Sequence, residues 1–114
     1  MGKEGIQNWS GRSGKTYTFE VWSISSTIFN EVECVYIYTK LVNNYWQYIY
    51  VGQTSQLATR LNQHANGDEA SDKCIQRSGA TYLHVLKLKP ESSRLDVETD
   101  IRNNPNYYWS CNMQ

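Results

Sequence analysis

The side chains best suited to chemistry lie in the stretch from Cys34 to His64, which gathers tyrosines, the loop glycine Gly52, Arg60 and one of the two histidines, His64. Phenol and imidazole groups exchange protons, and a guanidinium fork holds an anion in two places at once. Arg60 and His64 stand four residues apart, hence as neighbours on one side of any helix. Far along the chain, Glu98 falls between Leu95 and Ile101, and a carboxylate on such an apolar stripe is unusual. Each residue also has an ordinary reading. Tyr36 and Tyr50 can be strand aromatics, Arg60 and His64 a solvated helix face, and Glu98 an ion-pair partner of Arg94 or Arg102. Only the set in its order points to a site.

The elements that must position this set follow from residue type. The runs Cys34 to Thr39 and Tyr48 to Val51 are β-branched and aromatic, so they read as paired strands. Alternation puts Tyr36 and Tyr38 opposite Val35 and Ile37, and Tyr48 and Tyr50 opposite Ile49 and Val51, giving one phenolic and one aliphatic face. Asn43-Asn44 is turn chemistry between them. Leu57, Leu61 and His64 recur at helical spacing in Ser55 to Ala65, with Ser55 as the expected N-cap and Asn66-Gly67 as the end. A second short helix is expected over Glu69 to Arg77, a strand over Thr81 to Lys89, and a helix from Glu91 to Asn104 closed by Pro105. The aromatic tail NYYWSCNMQ must dock, because Tyr107, Tyr108, Trp109 and Met113 would otherwise leave an exposed patch.

Upstream, Tyr17, Phe19 and Val21 share a face, and with Gln7 to Ser10 and a GRSG turn they predict an N-terminal hairpin. The same GRSGKT imitates a phosphate loop, but that pattern needs a glycine where Trp9 stands, so the turn is the better reading. Ser23 to Glu31 reads as a connector. The expected organisation is an extension over residues 1–32 packed on one globular unit over 33–114. The fold class is α+β, a small antiparallel or mixed sheet flanked by helices.

A chain of 114 residues can bury a core without staples. It has no apolar run near the roughly 20 residues that span a bilayer. MGKEGIQNWSGRSGK lacks the apolar region of a secretory signal, and Ile6 breaks a myristoylation motif. Cys34, Cys74 and Cys111 are odd in number and widely spaced, so they read as reduced packing thiols in a cytoplasmic protein. A zinc site built from them with His64 or His84 is the weaker alternative. His84 reads as a satisfied strand histidine, and Tyr38 and Tyr48 as structural. The formal net charge is zero, which by itself points away from a stand-alone nucleic-acid binder.

From Cys34 to Asn112 the chain resembles the GIY-YIG nuclease superfamily. The first motif stands as Cys34-Val35-Tyr36 and the second as Tyr50-Val51-Gly52. A helix with Arg60 and His64, a helix with Glu98 in DVETDIR and a late asparagine, Asn112, complete the order. The resemblance implies a metal-dependent DNA endonuclease that leaves 3′-hydroxyl and 5′-phosphate ends. It makes Tyr36 the general base, Arg60 the phosphate clamp, and Tyr50 and His64 organisers of water and phosphate. Glu98 becomes the ligand of Mg2+ or Mn2+, with Gly52 and Asn112 supporting the site. Arg60 and the metal are expected to favour the Tyr36 phenolate. Cys34 departs from the family's glycine and puts a side chain where close backbone approach is expected. With zero net charge, a homodimer or a partner protein is expected to supply DNA affinity. The alternative is a catalytically inactive nucleic-acid- or protein-binding module on the same fold, and a zinc-binding structural protein is a third reading.

Overall fold

A computed structural model describes residues 3–112. The elements follow the order β1 (Lys3–Ser10), β2 (Thr16–Ser23), β3 (Cys34–Val42), β4 (Tyr45–Thr54), α1 (Leu57–Asn66), α2 (Ala70–Ser78), β5 (Tyr82–Lys87) and α3 (Glu91–Arg102). The strands form one five-stranded sheet in the order β1-β2-β5-β3-β4, with every neighbouring pair antiparallel. The fold is therefore α+β, and the N-terminal hairpin extends the sheet beyond β5. No helix among the described residues is long and apolar enough to cross a membrane.

Helices cover both faces of the sheet. On one, Leu57 of α1 and Ile75 of α2 pack over Cys34, Tyr36, Tyr38, Ile49, Leu83 and Val85. On the other, Ile101 of α3 joins Trp9, Phe19, Val35, Ile37, Val51 and Trp109. The expected division into a phenolic and an aliphatic face fails for a local reason. Tyr38 pairs with Tyr50 but Thr39 pairs with Tyr48, so Ile49 is an extra residue in β4, a β-bulge. Beyond it the alternation reverses: Ile49 packs with Tyr36, while Tyr48 joins Trp9, Tyr107 and Trp109 on the α3 face. Asn43 and Asn44 both take positive φ, 53° and 67°, the backbone of a tight hairpin turn.

Helix α1 starts two residues after Ser55, and its N-cap position, Gln56, makes no side-chain cap. The cap comes from the connector: Glu31 accepts from the Thr59 N–H at 2.9 Å and from the Thr59 hydroxyl, and Leu57 N–H bonds Val32 O. In α3 the inward face carries Arg94, Glu98 and Ile101, whereas Leu95, expected on the apolar stripe, is exposed. The GRSG turn rests on α3, where Asp100 accepts from Ser13 N–H, Ser13 Oγ and Tyr17 Oη at 2.9, 2.6 and 2.8 Å. The Ser13 amide, which a phosphate loop would turn toward a phosphate, is thus occupied by the protein's own carboxylate.

The tail docks along β4, the outer strand. Ser110 and Cys111 donate to Tyr48 O and Ile49 O, and Trp109 is buried, while Tyr108 remains exposed and Met113 lies outside the described residues. Cys74 and Cys111 form a disulfide rather than the two packing thiols expected. The spacing could not reveal this, because the pair meets only when α2 and the tail converge on the same face. The bond also removes two of the ligands a zinc site would need. Cys34 alone is free, and it is a buried packing thiol.

Candidate active site

Tyr36 is the third residue of β3, 1% exposed, over Gly52 of β4, its cross-strand partner. A Cβ on Gly52 would meet Tyr36 Oη at 2.7 Å and Tyr50 Cε2 at 2.9 Å. The second motif's glycine is therefore the space the first motif's phenol occupies. Cys34, two residues before Tyr36, points into the same core, so a side chain at that position is accommodated there as packing.

The Tyr36 hydroxyl lies 2.7 Å from Nε2 of His64, and Nδ1 of His64 lies 2.7 Å from Oδ1 of Asp72 on α2. His64 is 1% exposed. Burial pushes the imidazole pKa below its ordinary value, Asp72 opposes that shift, and Arg60 reinforces it. A neutral ring has one N–H, and a carboxylate can only accept, so the proton belongs on Nδ1. Nε2 is left facing the Tyr36 hydroxyl. Asp72 was missed in the sequence, where it reads as an ordinary acidic residue in the first turn of a short helix. Its one trace is Gly67: a Cβ there would stand 1.9 Å from Asp72 Oδ2. The α1 end is fixed further by Gln76 Nε2, which donates to the carbonyls of His64 and Ala65.

Arg60 and Tyr50 are the part-buried members of the set. Arg60 Nη1 bonds Gln63 Oε1 at 2.9 Å. Burial works against its charge, but the phenols of Tyr36 and Tyr50 outweigh this and its pKa is raised. The converse effect on Tyr36 is too weak for what was expected of it. Burial pushes that phenol well above its ordinary value, Tyr50 adds to the shift, and Arg60 only partly opposes it. Arg60 by itself does not make the phenolate, because loss of water outweighs the attraction of one part-exposed cation. The rings of Tyr36, Tyr50 and His64 pack closely, with the Tyr50 and His64 centroids 5.1 Å apart.

Asn112 lies at the edge of β4 beside these groups. Its side chain accepts from Val51 N–H and donates to Val51 O, both at 2.9 Å, imitating a strand partner next to Gly52. Glu98 stands apart, on the helix packed against the opposite face, and Tyr36, His64 and Arg60 are not among its bonded partners. It is 8% exposed, and Oε2 lies 3.1 Å from Arg102 Nη1 yet has no hydrogen bond. Burial raises its pKa against the pull of Arg102. Arg94, one turn earlier, instead bonds Gln53 of β4 at 3.0 Å. No group of three His, Cys, Asp or Glu side chains converges on a metal position among the described residues. A buried carboxylate oxygen without a hydrogen bond nevertheless fits a hard cation that keeps most of its waters.

His84, the other histidine, takes no part. Its Nδ1 accepts from Trp9 Nε1 at 3.1 Å and its Nε2 meets Thr39 Oγ1 at 2.9 Å, so it is satisfied within the sheet as expected.

No curated protein and no solved structure matches the chain at a significant level. The GIY-YIG catalytic domain model matches residues 32–106, a span holding both tyrosine motifs, Arg60, His64 and Glu98. That match covers well over half of the chain. Taken with the α+β sheet that pairs Tyr36 with Gly52, it places the chain in the GIY-YIG family, whose members carry a nuclease-type fold.

Proposed function

We propose that this chain is a metal-dependent DNA endonuclease that hydrolyses phosphodiester bonds, leaving 3′-hydroxyl and 5′-phosphate ends. The observation that carries the reading is the Tyr36 phenol held at 2.7 Å from a buried imidazole, with Arg60 close enough to influence both. A general base must lie within hydrogen-bond reach of the proton it removes and have somewhere to send its own. Tyr36 is that base, and Arg60 grips two oxygens of the scissile phosphate through its planar fork. Tyr50 orders water and phosphate by hydrogen bonds, and His64, engaged at both ring nitrogens, contributes to that order through the Tyr36 hydroxyl it holds, while Gly52 and Asn112 hold the Tyr36 side of β4 in shape. Glu98 would hold the divalent cation, Mg2+ or Mn2+, which would supply charge stabilisation for the leaving oxygen; because α3 packs on the face away from Tyr36, this role rests on the family resemblance and not on contact with the phenol.

Zero net charge makes the isolated domain a weak, salt-sensitive DNA binder, so a homodimer or a partner protein supplies the missing affinity. A cytoplasmic location rests on the DNA substrate alone, because the Cys74–Cys111 disulfide removes the reduced-thiol argument for it. The second reading is an inactive nucleic-acid- or protein-binding module, favoured by the near-complete burial of Tyr36 and by Cys34 in place of the motif glycine. Supercoiled plasmid incubated with the protein and magnesium at low salt separates the two. Nicking or linearisation by wild type but not by Glu98→Ala supports the nuclease. Plasmid equally intact with both proteins, across magnesium and manganese, overturns it.

A further inference from the structure

Asp72 matches no part of the two tyrosine motifs, yet two glycines, one of them in the corner between α1 and α2, leave room along the chain of bonds it ends. Gly52 leaves room for the Tyr36 hydroxyl at one end, and Gly67 leaves room for the Asp72 carboxylate at the other. Between them His64 is bonded at both ring nitrogens, each at 2.7 Å, and both it and Asp72 are buried. A surface ion pair would not need this clearance, and a carboxylate serving only to pair a cation would not need a buried ring turned edge-on between two partners.

We propose that Asp72 is a positioning residue of the site: its carboxylate fixes the proton of His64 on Nδ1, so that Nε2 presents a lone pair to the Tyr36 hydroxyl. This rests on the nuclease reading for its consequence but not for its geometry. Tyr36 alone is a poor base near neutrality, since burial disfavours its phenolate. With His64 held in this tautomer the proton has a path. A water bonded to Tyr36 Oη gives that oxygen a proton as the phenol's own proton passes to His64 Nε2. The hydroxide so formed adds to phosphorus, the P–O3′ bond breaks with its electron pair on O3′, and O3′ takes a proton from solvent. The imidazolium left behind is paired with Asp72, and it returns its proton to solvent when the site resets, which balances the reaction. The charged and titratable groups facing this chain are Tyr38 from β3, Tyr50 from β4, Arg60 from α1 and Asp72 from α2.

The test is nitrogen-15 NMR of His64 together with cleavage kinetics, in the full chain and in Asp72→Asn. In the wild type the proton is expected on Nδ1 with Nε2 unprotonated; a proton on Nε2 overturns the proposal without any reference to activity. In Asp72→Asn the amide can donate to Nδ1, and the tautomer is expected to switch. The variant's kcat is then expected to fall about 100-fold or more with KM little changed. Its acid limb should also move to lower pH, because Asp72 raises the His64 pKa. If the variant switches tautomer yet cleaves with the wild-type rate and profile, Asp72 is structural and the proposal fails. If the wild type has the expected tautomer but cuts no DNA under any divalent metal, the nuclease reading fails, and with it Asp72's catalytic consequence, while the assignment of the His64 proton stands. Should Asp72→Asn not fold, the wild-type spectrum still decides the tautomer.

Discussion

The Tyr36 phenol lies across its strand partner Gly52 so closely that a β-carbon on Gly52 would stand 2.7 Å from the Tyr36 hydroxyl and 2.8 Å from Cζ. The two motif residues are thus one packing unit, and Gly52→Ala must push the ring from its seat. Overpacking of this kind costs about 1–3 kcal/mol. Misplacing a reacting group by about 1 Å costs about 100-fold in rate. Gly52→Ala is therefore expected to remain folded by circular dichroism with a lowered Tm, and to lose plasmid cleavage by about that factor. Full activity in a folded variant would mean the phenol's position is not used.

Glu98 sets stability against function. Burial holds its pKa in the folded protein above the unfolded value, so the folded state is favoured by protonation, and stability falls as pH rises through the folded pKa. Above that pKa the ionised carboxylate is a burden that only half-exposed Arg102 relieves. Glu98→Gln should therefore raise Tm at pH values above it. That gain should disappear at acidic pH, below the unfolded pKa of about 4.3. Cleavage should be lost at every pH. A lowered Tm would make Glu98 a structural ion-pair residue.

Arg60→Lys keeps the charge but loses the planar fork. A charge-assisted hydrogen bond is worth about 1.5–3 kcal/mol, so kcat/KM is expected to fall by about 10- to 100-fold. The slope of DNA affinity against salt should stay unchanged, because the number of phosphates neutralised is the same. Wild-type kcat/KM in Arg60→Lys would mean that the planar fork is not used and that Arg60 serves only as a charge.

His84 predicts acid sensitivity away from the site. Burial lowers its pKa from 6.5 to about 3, so between those limits the unfolded chain binds a proton the folded one refuses. The contribution is present above pH 6.5 and is lost as pH falls, with a slope of about 1.4 kcal/mol per pH unit. His64, whose pKa is also lowered by burial, adds to the same window. His84→Gln can still accept from Trp9 and donate to Thr39, so urea titrations from pH 7 to 4 should show a shallower pH slope by about one proton. An unchanged slope would exclude His84 as its source.

What the sequence revealed and what it hid divides along one physical line. Strands, the Asn43-Asn44 turn and the helix bearing Arg60 and His64 rest on local alternation and spacing, and these were legible. The reversal at Ile49 was not, since a bulge is set by which residue finds a partner on β3. The cap of α1 by Glu31, the seat of Gly67 under Asp72 and the Cys74–Cys111 bond all join segments far apart in the chain. No periodicity carries such information. Within the site, Tyr36, Tyr50, Arg60 and His64 do come together, and the order of motifs was enough to pick them out. The group that fixes the His64 ring came from a helix with no motif at all.

The disulfide gives the remaining prediction. Cys74 and Cys111 are 37 residues apart, and closing a loop of that size restrains the unfolded chain by up to about 4 kcal/mol. The bond also ties the helix bearing Asp72 to the residue before Asn112, which holds Val51 of β4. A thiol assay should find no reactive group in the native oxidised protein, because Cys34 is fully buried and burial pushes its pKa up to about 12. One thiol should appear on denaturation and three after reduction. Reduction or Cys111→Ser should lower Tm and speed amide exchange at Val51, whose N–H is held by the tail, before the inner pairing of β3 with β5 is affected. Equal exchange at Val51 in both redox states would show that Asn112 holds β4 without help from the covalent link.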